Sequence, residues 1–403
     1  MALDKLVDST QLDGALTATA NAIRAKTGDS SGIAWDDDTG FASAVGDISA
    51  GASVTSLSVT QNGTYTAPTG TAYSPVTVNV SGGGGDNLKE FLETDFTSDF
   101  VHSTVTKIGM GKFAFQFRLT SAVFPSCTVI SDYAFMSCSF LTDVSFPICE
   151  IIGSSAFYSC TSLTSAIFPF CTYVSNAAFN YCTNLTSISF PVCRTVSTYA
   201  FTNCRKITVA SFPSCTSIGT YAFQNCSSLT TVSFPICERI ATGAFSGCSN
   251  LTNVDFPSCT NIGNTVFYAC SSLMTISFPA CTSIGYSAFQ NCSKLTDVNL
   301  PSCTYIGNSA FYNCSSLTTA SFPNCSVITS SAFGKCVRLI SLYLVGSSIV
   351  KLSNTNAFAS TPISGYTAST GGVYGSIYVP SSLVTAYKSA SVWSNYSSRF
   401  VGI

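Results

Sequence analysis

Residues 229–294 decide the fold: three consecutive 22-residue segments read LTTVSFPICERIATGAFSGCSN, LTNVDFPSCTNIGNTVFYACSS and LMTISFPACTSIGYSAFQNCSK. The same spacing runs on in both directions. Phe124, Phe146, Phe168, Phe190, Phe212, Phe234, Phe256, Phe278, Leu300 and Phe322 fall 22 apart without insertion or deletion, and each is followed by Pro. A period of 20 to 29 residues reads as a solenoid, because a single coil has too few apolar groups to bury a core alone and must stack on its neighbours.

Within a repeat the pattern is L-T-x-V-S-F-P-x-C-x-x-I-G-x-x-A-F-x-x-C-x-x. The opening L-x-x-V-x-F predicts a short strand whose first, fourth and sixth residues point inward. Proline ends that strand, since it has no N–H to give and holds the residue before it extended. In the second half Gly predicts a corner, and the Ala-Phe and Cys spacing predicts one helical turn. Strands of successive coils should pair in parallel at about 4.8 Å, so about eleven coils give a rod on the order of 50 Å.

A finer period of 11 lies underneath, with Leu against Ile, Phe against Phe and Cys against Cys. All twenty cysteines obey it, from Cys127 to Cys336. Each therefore takes an inward site, and same-site cysteines form two columns, one on each wall. Cysteine packs as a small hydrophobe, so this periodicity favours packed thiols over disulfides between neighbouring coils. A metal is the weakest alternative, there being no C-x-x-C pair to chelate one.

The charged fraction is 9%, far below the roughly 25% of an ordinary domain. The surface must then be covered by hydroxyls and amides. Net charge is −2, from 17 basic and 19 acidic residues, with no basic cluster. Nucleic acid is thereby disfavoured as a partner, since phosphate binding needs concentrated Lys and Arg. No apolar run reaches the length of a membrane span, and none near Met1 resembles a signal peptide. Synthesis and folding in the cytoplasm of the producing cell are the expectation.

Ahead of the repeats, residues 9–27 predict a helix capped by Ser9 or Thr10 and closed by Gly28, and 39–48 a second one. Period-two alternation then predicts strands around a turn at Asn62-Gly63. Together these define a helical attachment module at 1–50, a small β module at 51–81 and a Gly-rich linker at 82–87, the latter containing Gly82 to Gly85. Residues 88–107, helical or irregular with Glu90, Glu93, Asp95 and Asp99, should cap the solenoid of 108–345, and 346–403 should cap its other end. The first coil keeps its length but has Gln116 where a Cys is due.

The string L-x-x-V-x-F-P-x-C-x-x-I-G-x-x-A-F-x-x-C resembles the leucine-rich repeats of the BspA-like family, whose familiar form has I-P in place of F-P. The resemblance covers residues 108–344 and implies a β-rich solenoid of 22-residue leucine-rich repeats, with short parallel strands and single helical turns, used for adhesion to host proteins or cell surfaces. Departures are the Cys after F-P-x, where an aliphatic residue is usual, and a repeat one residue shorter than the commoner length. The tail GSIYVPSSLVTAYKSASVWSNYSSRFVGI, 375–403, looks like the cap found after such repeats: a strand to Pro380, a helix capped by Ser381 or Ser382, then Trp393 and Phe400 on the last coil.

A second resemblance concerns LVDSTQLDGALTATANAIRAKTG, 6–28, and VTQNGTYTAPTGTAYSPVTVNVSGGGG, 59–85. Both look like segments of tail-associated proteins of phages and prophages from Gram-positive gut bacteria. That resemblance implies a virion tail component as a partner through the N-terminal module, and a virion location. The alternative is a bacterial cell-surface or secreted adhesin.

Chemistry is sparse. The single histidine is His102, a surface or capping residue on its position. Asp143, Asp255 and Asp297 fall in different coils with no second carboxylate at matching spacing, so no glycosidase pair is visible. No catalytic residue, metal ligand or cofactor motif is assigned. What varies between coils is more telling. Tyr133, Tyr158, Tyr181, Tyr199, Tyr221, Tyr268, Tyr286 and Tyr312 flank the Ala-Phe step, and Asp143, Asn253, Asp255, Asp297 and Asn299 take outward strand sites. Tyrosine gives contact area at low entropy cost and Asn gives adaptable hydrogen bonds. The expectation is a non-enzymatic recognition rod for a cell-surface protein or glycan. The plainer reading is the ordinary surface of a charge-poor solenoid.

Overall fold

A computed structural model describes residues 103–403, together with three two-residue strands before them, Val59–Thr60, Thr64–Tyr65 and Phe100–Val101. The helices expected at 9–27 and 39–48, the Gly82–Gly85 linker, His102 and the acids of 88–99 lie outside the described residues. The chain divides into two units, Met1–Ser98 and Asp99–Ile403. In the first, Val59–Thr60 pairs antiparallel with Thr64–Tyr65. These two strands flank Asn62-Gly63, where a turn was expected; the two residues themselves lie outside the described ones.

The second unit holds the solenoid, a parallel β-solenoid with 22-residue spacing. Three-residue strands such as Ser121–Val123 and Asp143–Ser145 pair in parallel with partners one repeat away. Phe100–Val101 pairs with Ala122 and Val123 in the same register, so a strand stands where an irregular cap was expected. Phe100 precedes Ala122 by one repeat length, and that spacing was legible although the L-x-x-V pattern was not.

Each coil also carries a second strand, which the sequence reading assigned to a corner. Val129–Ile130, Ile151–Ile152 and their equivalents form one continuous twelve-stranded parallel sheet ending at Lys351–Leu352. Eleven steps of about 4.8 Å make it roughly 53 Å long. The Ile of I-G is its inward residue. Gly follows because the coils approach closely there: a Cβ on Gly219 would lie 2.5 Å from the main chain of Ser197.

After this strand comes no helix but a run of tight turns. Alternate N–H groups bond inside the coil, as Met136 to the Tyr133 carbonyl, 3.0 Å, while those between reach the next coil, as Phe135 to Ala156, 2.7 Å, and Ser137 to Tyr158, 2.7 Å. The Ala-Phe and Cys spacing imitates a helical turn because the internal bonds span three residues. Two left-handed residues per coil, such as Tyr133 (φ 59°) and Ser137 (φ 58°), break the helix and turn the intervening groups outward along the axis. Asn203, Asn225, Asn291 and Asn313 occupy the second of these sites, and Asn tolerates that conformation better than most residues.

Two columns of phenylalanine fill the core. Phe113 stacks on Phe135 at 5.0 Å and Phe124 on Phe146 at 5.4 Å, and the columns meet edge-on, Phe135 against Phe146 at 5.9 Å and 67°. Such geometry suits the ring quadrupoles. The twenty cysteines are buried and free, in two columns as expected. Their hydrogen bonds explain the choice of residue. In one column the thiol donates to a carbonyl two residues on, Cys237 to Arg239 at 3.3 Å; in the other to a Phe carbonyl of the preceding coil, Cys160 to Phe135 at 3.1 Å. A small apolar side chain with a weak donor fills the space and satisfies an inward carbonyl at once.

At the C-terminal end Ser376–Val379 continues the long-strand sheet and Phe400–Gly402 forms its edge. The helix is a 3-10 turn Ser381–Leu383 running into Val384–Ser389, and no side chain caps either start. Ser381 and Ser382 thus do not have the role anticipated for them. Trp393 packs as expected, its Nε1–H donating to the Val350 carbonyl at 2.7 Å. Tyr387 and Tyr396, not foreseen, complete the closure: the Tyr387 hydroxyl accepts the Val350 N–H at 3.0 Å, and the Tyr396 hydroxyl donates to the Thr355 carbonyl at 2.7 Å.

Candidate recognition surface

Three outward surfaces follow from the coil: the long-strand sheet, the corner after Pro leading into the short strand, and the turn segment. The tyrosines singled out in the sequence occupy the turn segment at four different positions, and their exposure differs accordingly. Tyr133, Tyr199 and Tyr221 hold the left-handed site before Ala. Tyr133 is buried, 4% exposed, and so leaves the candidate set. Tyr199 stacks on Tyr221 at 5.4 Å and 15°, and the Tyr221 ring lies over Gly243 of the following coil. Their rings run along the rod over neighbouring coils, with only part of each exposed.

After the Phe, Tyr158 is half-buried against Tyr181 at 5.9 Å. Burial and the neighbouring phenol push the Tyr158 hydroxyl above its ordinary value. Tyr312 lies over Gly334, with the Lys335 ammonium 5.3 Å from its ring centre. Tyr181, Tyr268 and Tyr286 are the exposed members, Tyr286 at 52%. Aromatic surface is therefore presented at isolated points and is not a continuous strip.

Asp143, Asn253, Asp255, Asp297 and Asn299 are exposed on the long strands, a separate surface from the tyrosines. Small hydrogen bonds order this sheet. Thr275 Oγ1 donates to Asn253 Oδ1 at 2.6 Å, Thr142 Oγ1 to Asp143 Oδ2 at 2.7 Å, and Thr230 Oγ1 to the Thr208 carbonyl of the coil before at 3.0 Å. The sheet thus offers hydroxyls and amides at regular spacing on a rigid frame. No group of three or more metal-ligating side chains is gathered among the described residues. The thiols are unsuited to nucleophilic work, since burial raises Cys171 and Cys193 to about 12 and Cys215 to about 11.

The corner after Pro was missed. Its outward residue is Ser126, Ser214, Ser258 or Ser302 in some coils, but Ile148, Phe170 and Val192 in three successive ones, all exposed. Beside them Ile151 and Tyr173 are paired in register on the short strands and also exposed. The signal was in the sequence, as Ile148, Phe170 and Val192 in succession at a site held elsewhere by Ser, Ala280, Asn324 or one further exposed apolar residue, Ile236.

No helix among the described residues is long and apolar enough to cross a membrane. No curated protein is significantly similar to the chain in sequence. Among solved structures it is similar to a leucine-rich repeat protein from Bacteroides ovatus, with 23% identity, 74% of this chain and 88% of that chain covered, and a TM-score of 0.46. It is also similar to a leucine-rich cell surface protein from Faecalibacterium prausnitzii, with 25% identity, coverage of 70% and 80%, and a TM-score of 0.38. The pneumococcal vaccine antigen PcpA is a third, with 16% identity, coverage of 74% and 83%, and a TM-score of 0.44. The model of the BspA-type leucine-rich repeat region matches residues 106–230, 150–273 and 238–364 in overlapping segments. With its strand register, its Phe columns and this match across the solenoid, the chain belongs to the BspA-type leucine-rich repeat family.

Proposed function

We propose that the chain is a non-enzymatic recognition protein whose solenoid engages a cell-surface protein or glycan and whose N-terminal module joins it to a virion tail. The observation that carries recognition is the surface itself. A rigid, ion-poor rod presents Tyr181, Tyr268 and Tyr286 on one segment and ordered Asp, Asn and Thr columns on another. Leucine-rich repeat solenoids are binding scaffolds, because stacked coils make an extended surface that varies residue by residue on a constant core. The tail assignment rests on the resemblance of residues 6–28 and 59–85. A bacterial cell-surface or secreted adhesin is the second reading, favoured by the family to which the repeats belong.

Glycan and cell-binding assays test recognition. Replacing Tyr181, Tyr268 and Tyr286 together with Ser should weaken binding at least about tenfold without lowering the melting temperature, as expected for exposed contact residues. Binding should depend weakly on salt, since few charges are present to be screened. Undiminished binding both by that variant and by one with Asn253, Asp255, Asp297 and Asn299 changed to Ser would sink the assignment. Immunolabelling of purified virions against producing cells separates the tail from the cell-surface reading.

A further inference from the structure

We propose that the corner after Pro, in the coils of Ile148, Phe170 and Val192, is a self-association surface on which a second copy of this chain docks antiparallel. Ile148, Ile151, Phe170, Tyr173 and Val192 are all exposed, Phe170 at 57%. They are neighbours by register: Ile151 pairs with Tyr173, and Ile148, Phe170 and Val192 hold the same corner site in three successive coils. At 57% and 43% exposure Phe170 and Tyr173 present on the order of 100 Å² each. With three half-exposed aliphatic side chains, Ile148, Ile151 and Val192, they form a contiguous apolar patch within the range of roughly 300–600 Å² that is often functional.

The charges around the patch select the occupant. The site after the first Cys of each coil is Glu150, Thr172 and Arg194 in these three coils, and all three are exposed. A two-fold axis through the coil of Phe170 and Thr172, perpendicular to the rod, sets the coil of Ile148 against that of Val192 in the other copy. Glu150 then meets the second copy's Arg194, and Arg194 its Glu150, while Phe170 and Tyr173 face themselves at the centre. This arrangement is isologous, with one patch complementary to itself. An axis through the coil of Thr216 would also pair opposite charges, Arg194 with Glu238, but places Ser214 and Ser217 at the centre. Val192 and Ile236 flank Ser214 as Ile148 and Val192 flank Phe170. The centre of an interface, however, should be its most apolar part, and it is Phe170 and Tyr173 on the first axis but Ser214 and Ser217 on the second.

Sedimentation of the full chain tests the proposal. The unaltered chain should dimerise, and Phe170→Ser should abolish the dimer while leaving the melting curve in place. Glu150→Arg and Arg194→Glu should each weaken the dimer at least about tenfold through like-charge contact. The double variant Glu150→Arg/Arg194→Glu should recover the original constant, because the swapped charges meet again, and Glu238→Arg should change nothing. A chain that stays monomeric at about 100 µM, a dimer insensitive to Phe170→Ser and Glu150→Arg, or a double variant no better than the singles overturns the proposal. An effect of Glu238→Arg equal to that of Glu150→Arg overturns this axis.

Discussion

The Cys248 thiol donates to the main-chain carbonyl of Phe223, 3.2 Å away in the preceding coil. The Phe223 carbonyl also takes the Cys226 N–H at 3.2 Å. The adjoining Ala222 carbonyl accepts from the coil before, Phe201 N–H at 2.7 Å, so the Phe carbonyl faces the other way, where the cysteine side chain supplies a donor. Cys248→Ala should therefore cost about 1–2 kcal/mol, through a lost hydrogen bond and a small void. Denaturant melts of Cys248→Ala and of Cys237→Ala, one from each column, check this. Losses below about 0.3 kcal/mol at both positions would show that the thiols are mere filler.

Burial of so many thiols makes the rod sensitive to base. Desolvation raises Cys149 and Cys259 to about 12 from 9.0, and raises Cys160, Cys182 and Cys204 well above their ordinary value. The unfolded chain releases these protons first as pH rises, so it binds fewer than the folded chain between about 9 and 12. Stability is complete below pH 9 and falls above it, by about 1.4 kcal/mol per pH unit for each thiol that ionises only on unfolding. Circular dichroism should show the strand signal lost as pH rises past about 10, where a variant lacking several cysteines holds out longer. A chain unchanged at pH 11.5 would contradict this account.

Thiol labelling examines the same burial chemically. In the native state a maleimide should modify almost none of the twenty cysteines, because the thiolate is the reactive form and is suppressed. In denaturant without reductant nearly all should react. Ten intact disulfides by mass would overturn the packed-thiol arrangement.

Phe245 and Tyr286 separate core from surface. Phe245 is fully buried between Phe223 at 5.3 Å and Phe267 at 5.6 Å. Phe245→Ala should lose about 3–5 kcal/mol, and Tyr286→Ala no more than about 1 kcal/mol. Equal shifts in melting temperature would show that the two faces are misassigned.

The parts of this fold legible in sequence are those written in spacing. Phe124 to Phe322 gave the repeat, and because parallel strands pair residue for residue, it also gave the register of Ser121 with Asp143. Two-residue strands such as Val129–Ile130 show too little alternation to be seen, and the turn after them imitates a helix until its left-handed residues are known. Surface was harder still. Tyr133 and Tyr286 stand one position apart in the repeat, yet one is buried and the other half exposed, because the backbone conformation at each site decides the direction. The cap was read from Trp393 but not from Tyr387. In the body of the rod the N–H at the site of Val350 donates to the preceding coil, as Ser326 to the Thr304 carbonyl, whereas in the last coil the Lys351 N–H donates to the Ser326 carbonyl and the Val350 N–H turns to Tyr387.

That N–H is the subject of the last prediction. In the body of the rod each short strand is followed by another coil, but Lys351–Leu352 is the final one. Trp393 Nε1–H donates to the Val350 carbonyl, which in the body of the rod would take an N–H of the following coil, and the Tyr387 hydroxyl accepts the Val350 N–H, whose equivalents donate to the preceding coil. Both side chains are buried, which makes an orphaned partner expensive. Tyr387→Phe keeps the ring and removes the acceptor, and should cost about 1–3 kcal/mol. Because coils interact only with their neighbours, the loss should be local. Hydrogen exchange should accelerate at the amides of 327–352 and stay unchanged near Cys149 and Cys171, far along the rod. Uniform acceleration along the whole solenoid would show that it unfolds as one cooperative unit and that the cap governs all of it; no acceleration at 327–352 would mean that Tyr387 contributes packing alone.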